Sequence, residues 1–207
     1  MRRRFTWVMR PTATEITRHH SADPAVTRLE RLPGGEHWAS PKVIVSPDPA
    51  WKPAYARLAA LIRAALGDRV IALHHVGSTA VPDLPAKPVI DVDLVVAAPE
   101  NESSYVPDLQ QAGFRLHARE PGWHQHRLFK YRGPFAHLHV FGPDCPEVIR
   151  HLLFRDWLIE HQDDRDRYAT AKRAATSQHG DAQLYTDLKE PTVREIYERI
   201  FRSRDLL

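Results

Sequence analysis

His74-His75-Val76-Gly77-Ser78-Thr79-Ala80-Val81-Pro82-Asp83-Leu84-Pro85-Ala86-Lys87-Pro88-Val89-Ile90-Asp91-Val92-Asp93-Leu94-Val95-Val96 is the stretch around which this chain is organised. An apolar run from Val70 ends in Gly77-Ser78, a proline-punctuated segment follows, and a second apolar run carries two aspartates. Side chains two apart on a strand share a face, so Asp91 and Asp93 stand together while Ile90, Val92 and Leu94 face a core. Paired carboxylates repel, and a cation or strong donor between them relieves the repulsion. Glycine lets a backbone come close to a phosphate, and a serine hydroxyl can donate to its oxygens. Twelve residues separate Ser78 from Asp91, so both features can meet at one end of adjacent strands.

Working outward, the chain divides near residue 40. Before it, Pro11, Pro24, Pro33 and Gly34-Gly35 interrupt a polar segment with no sustained period, which reads as a flexible or loosely packed extension over 1–40. A domain over 41–207 follows, with a sheet core at 41–142 and helices at 146–204. Pro41 to Val45 reads as a short strand, and Asp48 as the N-cap of a helix from Trp51 to Leu66 that Gly67 stops. Val70–Val76 and Pro88–Val96 read as strands, Pro99–Gly113 as a helix, and Phe114–His117 as a strand.

Trp123 to Tyr131 alternates, with Arg127 and Phe129 on one face and His124, His126, Leu128 and Lys130 on the other. Phe135–Phe141 places His137 and His139 on a shared face. Beyond Pro146, the spacings of Val148, Leu152 and Leu158, of Tyr168 and Ala171, and of Val193, Ile196 and Ile200 predict three helices separated by Gly180 and Pro191. The expectation is an α+β (α/β) fold, a mixed sheet of about five strands flanked by helices with a helical C-terminal part.

With 43% hydrophobic and 27% charged residues, the 207-residue chain is an ordinary globular sequence. A formal charge of +3 suits phosphate ligands but is not that of a dedicated nucleic-acid binder. No apolar run approaches a membrane span, no secretory signal follows Met1, and the lone Cys145 suits a reducing cytoplasm. The sequence does not set the oligomeric state. Lys87, just before the second strand, and Arg127 are the candidates to reach phosphates, with His126 and His124 as the alternative pocket side of that strand. The two aspartates suit Mg²⁺, with Mn²⁺ also possible.

Gly77-Ser78, a spacer and Asp91-Val92-Asp93-Leu94 resemble the signature of the nucleotidyltransferase superfamily with the polymerase-β-like fold. More closely, His75-Val76-Gly77-Ser78-Thr79, Lys87-Pro88-Val89-Ile90-Asp91-Val92, His126-Arg127, Leu138-His139-Val140-Phe141 and His151-Leu152-Leu153-Phe154-Arg155-Asp156-Trp157 look like the GrpB family from about residue 43 onward. The resemblance implies a nucleotidyltransferase-like core. By it, Gly77, Ser78, Lys87 and Arg127 bind nucleotide, Asp91, Asp93 and His139 are catalytic, and the same three hold metal. It also implies transfer of a nucleoside monophosphate from a nucleoside triphosphate to a small-molecule acceptor. GrpB-type modules joined to dephospho-CoA kinase extend the implication to coenzyme metabolism. The superfamily's third carboxylate is absent, because the candidate strand reads Ala136-His137-Leu138-His139-Val140. An imidazole there can act as base or as a softer ligand that admits Mn²⁺ or Zn²⁺. A non-catalytic nucleotide- or coenzyme-binding module is the alternative.

Overall fold

Six strands form one mixed sheet in the order β1-β4-β5-β6-β3-β2. The structure, a computed structural model, describes residues 11–19, 30–33, 40–177 and 182–207. The strands are β1 (Glu30–Arg31), β2 (Ala72–Val76), β3 (Ile90–Val95), β4 (Arg115–Glu120), β5 (His126–Tyr131) and β6 (Ala136–Phe141). β3 pairs antiparallel with β2 and parallel with β6, and the remaining ladders are antiparallel. The sheet thus has one strand beyond the expected five, the two-residue β1 that pairs with β4.

Alternation divides the sheet into an oily face and a chemical one. Val92, Leu94, Phe129, Leu138 and Val140 pack against Leu58, Ile62 and Leu66 of helix α2 (Trp51–Leu66) and Leu109 of α3 (Val106–Gln111). Fully burying such side chains contributes roughly 1.5–3 kcal/mol each, so this face anchors the fold. The opposite face carries Asp91, Asp93, His137 and His139, with Asp91 registered against His137 and Asp93 against His139. Helix α4 (Pro146–Glu160) crosses that face, where Val148 and Cys145 pack on Val95 and Phe141.

A helical layer completes the fold. α5 (Gln162–Ser177) and α6 (Ala182–Ser203) pack on α4 through Leu158, Tyr168, Ile196, Ile200 and Phe201, and Val81 and Leu84 of the proline-rich connection join them. Within residues 1–40, α1 (Ala13–Thr17) is closed by a Thr12–Glu15 capping box and inserts Ile16 into the same cluster. Arg150 of α4 donates to the Ile16 carbonyl at 2.8 Å. His20, Pro24, Gly34-Gly35 and His37 lie outside the described residues, as does Gly180 between α5 and α6.

Several local expectations are corrected. Pro191 does not separate helices but lies inside α6. One lost amide bond is tolerated because Ile196, Ile200 and Phe201 pin the following turns in the core. Asp48 is not the N-cap: Ala50 holds that position, while the Asp48 carboxylate accepts the Ala50 N–H at 2.8 Å. Pro41–Val45 forms only a bridge from Val45 to Ala86. The helix expected over Pro99–Gly113 is reduced to a short 3₁₀ turn, Glu102–Ser104, and the six residues of α3. Trp123–Gln125 is a turn rather than strand, with positive φ at His124 and Gln125.

Candidate functional site

Gly77 ends β2 with φ +68, and a Cβ there would collide with Oδ2 of Asp91. Only glycine lets the loop lie this close to the carboxylate. Two bonds hold the loop down. The Thr79 hydroxyl donates to the Val89 carbonyl at 3.2 Å, so His75 Nε2–H donates to Thr79 Oγ1 at 3.1 Å. His75 also stacks on Tyr55 with ring centroids 4.6 Å apart, and burial lowers its pKa to about 4, so it stays neutral. Through Thr79, His75 anchors the loop that follows Gly77.

Asp91 faces two imidazoles. His137 Nδ1 lies 3.3 Å and His139 Nε2 4.0 Å from Asp91 Oδ1. The donor atoms of these three residues all lie within 4.8 Å of one another, a grouping that can hold a metal ion. Each side chain is between a fifth and a third exposed, so the cluster opens toward the cleft. Behind it, Glu120 Oε2 bonds His126 Nδ1 at 2.7 Å, and His126 Nε2 bonds His139 Nδ1 at 3.1 Å. His137 Nε2 lies 2.8 Å from the Ser40 hydroxyl. Burial holds the His139 imidazole well below its usual pKa, helped by His126, His151 and His137.

Asp93, expected as the second metal ligand, is turned elsewhere. Its side chain is fully buried, and Oδ2 lies 2.8 Å from Nδ1 of His151 on α4. Oδ1 is buried with no hydrogen-bond partner among the described residues. Burial opposes charge on His151, but Asp93, through charge and hydrogen bond, with Glu147 and Asp91, raises its pKa to about 9. His151 is therefore an imidazolium at neutral pH. His137 rather than Asp93 joins Asp91 and His139.

Arg127, expected to bind phosphate, lies on the opposite face. It is registered against Val140, is buried, and its guanidinium bonds Glu102 and the Gln125 and His126 carbonyls. Alternation separates it from His126, and the core side took the arginine because Glu102 there neutralises its charge. On the other face of this strand His126 bonds His139 from behind, and Leu128 and Lys130 line the cleft.

The cleft between the sheet, α4, α5 and α6 encloses about 910 Å³. Cations ring it: Lys42, Lys87, Lys130, Arg155, Lys172 and Lys189. Lys87 lies 3.3 Å from the centroid of the Tyr185 ring, and its pKa is lowered by burial and by Lys189 and Lys42. Lys172, which sequence reasoning missed, is 2% exposed and donates to Ser78 Oγ at 3.0 Å and the Pro85 carbonyl at 2.6 Å. Burial, with Lys189 and Arg173 nearby, lowers its pKa to about 7. The Ser78 hydroxyl accepts from Lys172, which leaves its own proton for a ligand. Cys145 is buried in a packing role, and burial raises its thiol to about 11.

The sequence model of the GrpB family, described as GrpB protein, matches residues 41–199. The chain belongs to the GrpB family. A UPF0157 protein of Halalkalibacterium halodurans is 45% identical over 153 residues, 73% of this chain and 78% of that protein. A crystal structure of conserved protein GrpB from Enterococcus faecalis superposes with a TM-score of 0.69 at 26% identity, covering 78% of this chain and 99% of that one. A protein of Mycolicibacterium paratuberculosis named dephospho-CoA kinase is 31% identical over 194 residues, but this chain covers 47% of its length. The Enterococcus faecalis GrpB structure therefore shares this chain's overall fold. No helix among the described residues is long and apolar enough to cross a membrane.

Proposed function

We propose that this GrpB protein is a metal-dependent nucleotidyltransferase that moves a nucleoside monophosphate from a nucleoside triphosphate to a small-molecule acceptor. The observation that carries the reading is the meeting of Gly77 with Asp91. A glycine loop pressed on a metal-competent carboxylate, at the floor of a cation-ringed cleft, suits a triphosphate. Asp91, His137 and His139 would hold a divalent ion, which supplies neutralisation of phosphate charge. Ser78 and Lys172 then grip non-bridging oxygens, the serine by its free proton and the lysine by a proton that an arriving anion helps it keep. Lys87 and Lys189 offset the charge of departing pyrophosphate, and α5 and α6 close the cleft from the side opposite the sheet.

The alternative, a non-catalytic nucleotide- or coenzyme-binding module, draws on Asp93. Its pairing with His151 leaves one open carboxylate where the superfamily uses more. The relatives named dephospho-CoA kinase suit a coenzyme ligand in either case. Titrating nucleoside triphosphates and dephospho-coenzyme A with divalent ions, reading thermal shift and pyrophosphate release together, tests both. Pyrophosphate release that Asp91→Asn abolishes supports transfer. A metal-dependent thermal shift without release under any acceptor supports the module and sinks the transferase.

A further inference from the structure

Glu120, His126 and His139 form a line of side chains ending at Asp91, and the line has a direction. A carboxylate only accepts, so in the 2.7 Å bond to Glu120 the donor is His126 Nδ1–H. His126 Nε2 is then an acceptor, and the 3.1 Å bond to His139 Nδ1 draws the His139 proton to that nitrogen. The His139 Nε2 lone pair is left facing Asp91. This arrangement, a ring nitrogen freed by a hydrogen bond on its other side with a carboxylate behind, is the outer support that metal-ligating histidines use. His137 has the matching freedom. The Ser40 hydroxyl, 2.8 Å from Nε2, can accept a proton there and release Nδ1 toward Asp91.

We infer that Asp91, His137 and His139 form a site for one borderline transition-metal ion, of the Zn²⁺, Co²⁺ or Fe²⁺ kind, rather than an all-oxygen Mg²⁺ site. Two imidazoles and one carboxylate match the preferences of those ions, whereas Mg²⁺ prefers carboxylates, phosphates and water. Donors about 2.0–2.1 Å from a tetrahedral ion stand roughly 3.3 Å apart. The Asp91–His137 separation of 3.3 Å already meets this, and His139, at 4.0 Å, needs a small rotation. The partial exposure of all three leaves further positions for water or a phosphate oxygen, as catalytic sites do and closed structural sites do not. Asp93 stays outside, its charge matched by His151.

The inference deepens the proposed function and rests on its choice of Asp91 as ligand, but its test needs no nucleotide. The full chain, stripped with chelator and dialysed, is titrated with Co²⁺ and with Zn²⁺, following Co²⁺ ligand-field absorption and bound metal per chain. One ion per chain is expected, with an ordered low-coordination Co²⁺ spectrum that Zn²⁺ abolishes and millimolar Mg²⁺ does not. His137→Ala and Asp91→Asn should lose this spectrum, while Glu120→Gln should keep the stoichiometry with affinity about tenfold weaker. Thermal unfolding of each variant separates loss of the site from loss of the fold, and His137→Asn provides a milder second variant. Unchanged spectra in folded His137→Ala and Asp91→Asn, or displacement of Co²⁺ by Mg²⁺, would overturn the inference. Nucleotide binding is read separately, so an ion that binds without pyrophosphate release counts against transfer alone, and release with Mg²⁺ but no Co²⁺ site counts against this inference alone.

Discussion

His151 Nδ1 of α4 lies 2.8 Å from Oδ2 of the fully buried Asp93 on β3, joining residues 58 apart in the chain. The contact fastens the helical layer to the chemical face of the sheet, and Glu147 lies 3.5 Å from the other nitrogen of the same ring. Removing the histidine strands a buried carboxylate, so His151→Ala should destabilise the fold by about 3 kcal/mol near neutral pH. The folded pKa, about 9, is above the ordinary 6.5. The stabilisation is therefore complete below about pH 6.5 and lost as pH rises through about 9. Urea unfolding of wild type and His151→Gln across that range should show the gap between them closing. A pH-independent gap would mean that the pair is not ionic.

Lys172 has the opposite sign. Its amine is buried and its pKa falls from 10.5 to about 7, so the folded chain binds fewer protons than the unfolded chain between those values. Stability from this group rises with pH across the same window, partly masking the loss at His151. Lys172→Met keeps the side-chain volume and removes the titration. Its urea midpoint should fall more steeply than wild type between pH 7 and 9. Superimposable profiles would show that the folded amine keeps its proton.

Which of these features the sequence carried follows from how local each one is. The shared face of Asp91 and Asp93, and that of His137 and His139, come from the two-residue period of a strand and needed no partner. That His137 stands beside Asp91 depends on parallel pairing of β3 with β6 across 45 intervening residues, which no local pattern encodes. His151 and Lys172 arrive from helices packed afterwards. A signal for Lys172 existed, since it falls four residues after Tyr168 and three before Ala175 on the buried stripe of α5. A cation on an apolar stripe needs acceptors, and the Ser78 hydroxyl and Pro85 carbonyl supply them.

Arg127 distinguishes the faces experimentally. Alternation put it opposite His126, but the period does not say which face is core, and Glu102 decided it. Arg127→Met should cost about 1–3 kcal/mol of stability through the lost charged bonds to Glu102 and the two carbonyls, while Arg119 still pairs with Glu102. Nucleotide and Co²⁺ affinities of the folded variant should stay within twofold of wild type. A large loss of nucleotide affinity with stability unchanged would return the arginine to the cleft.

Gly77 links strain, packing and site in one position. Gly77→Ala forces a side chain onto a backbone at φ +68 and into Oδ2 of Asp91, so both the loop and the carboxylate must move. The expected loss is about 2 kcal/mol or more of stability, together with the Co²⁺ spectrum. Gly67 provides the control, because it has φ +56 but nothing within 4 Å of an added Cβ. Gly67→Ala should carry the backbone strain alone, about 1–3 kcal/mol, and keep the metal site. Urea unfolding and Co²⁺ titration of the pair separate the two effects. If both alanines lower stability equally and both retain cobalt, Gly77 serves only the turn, and its closeness to Asp91 has no part in shaping the site.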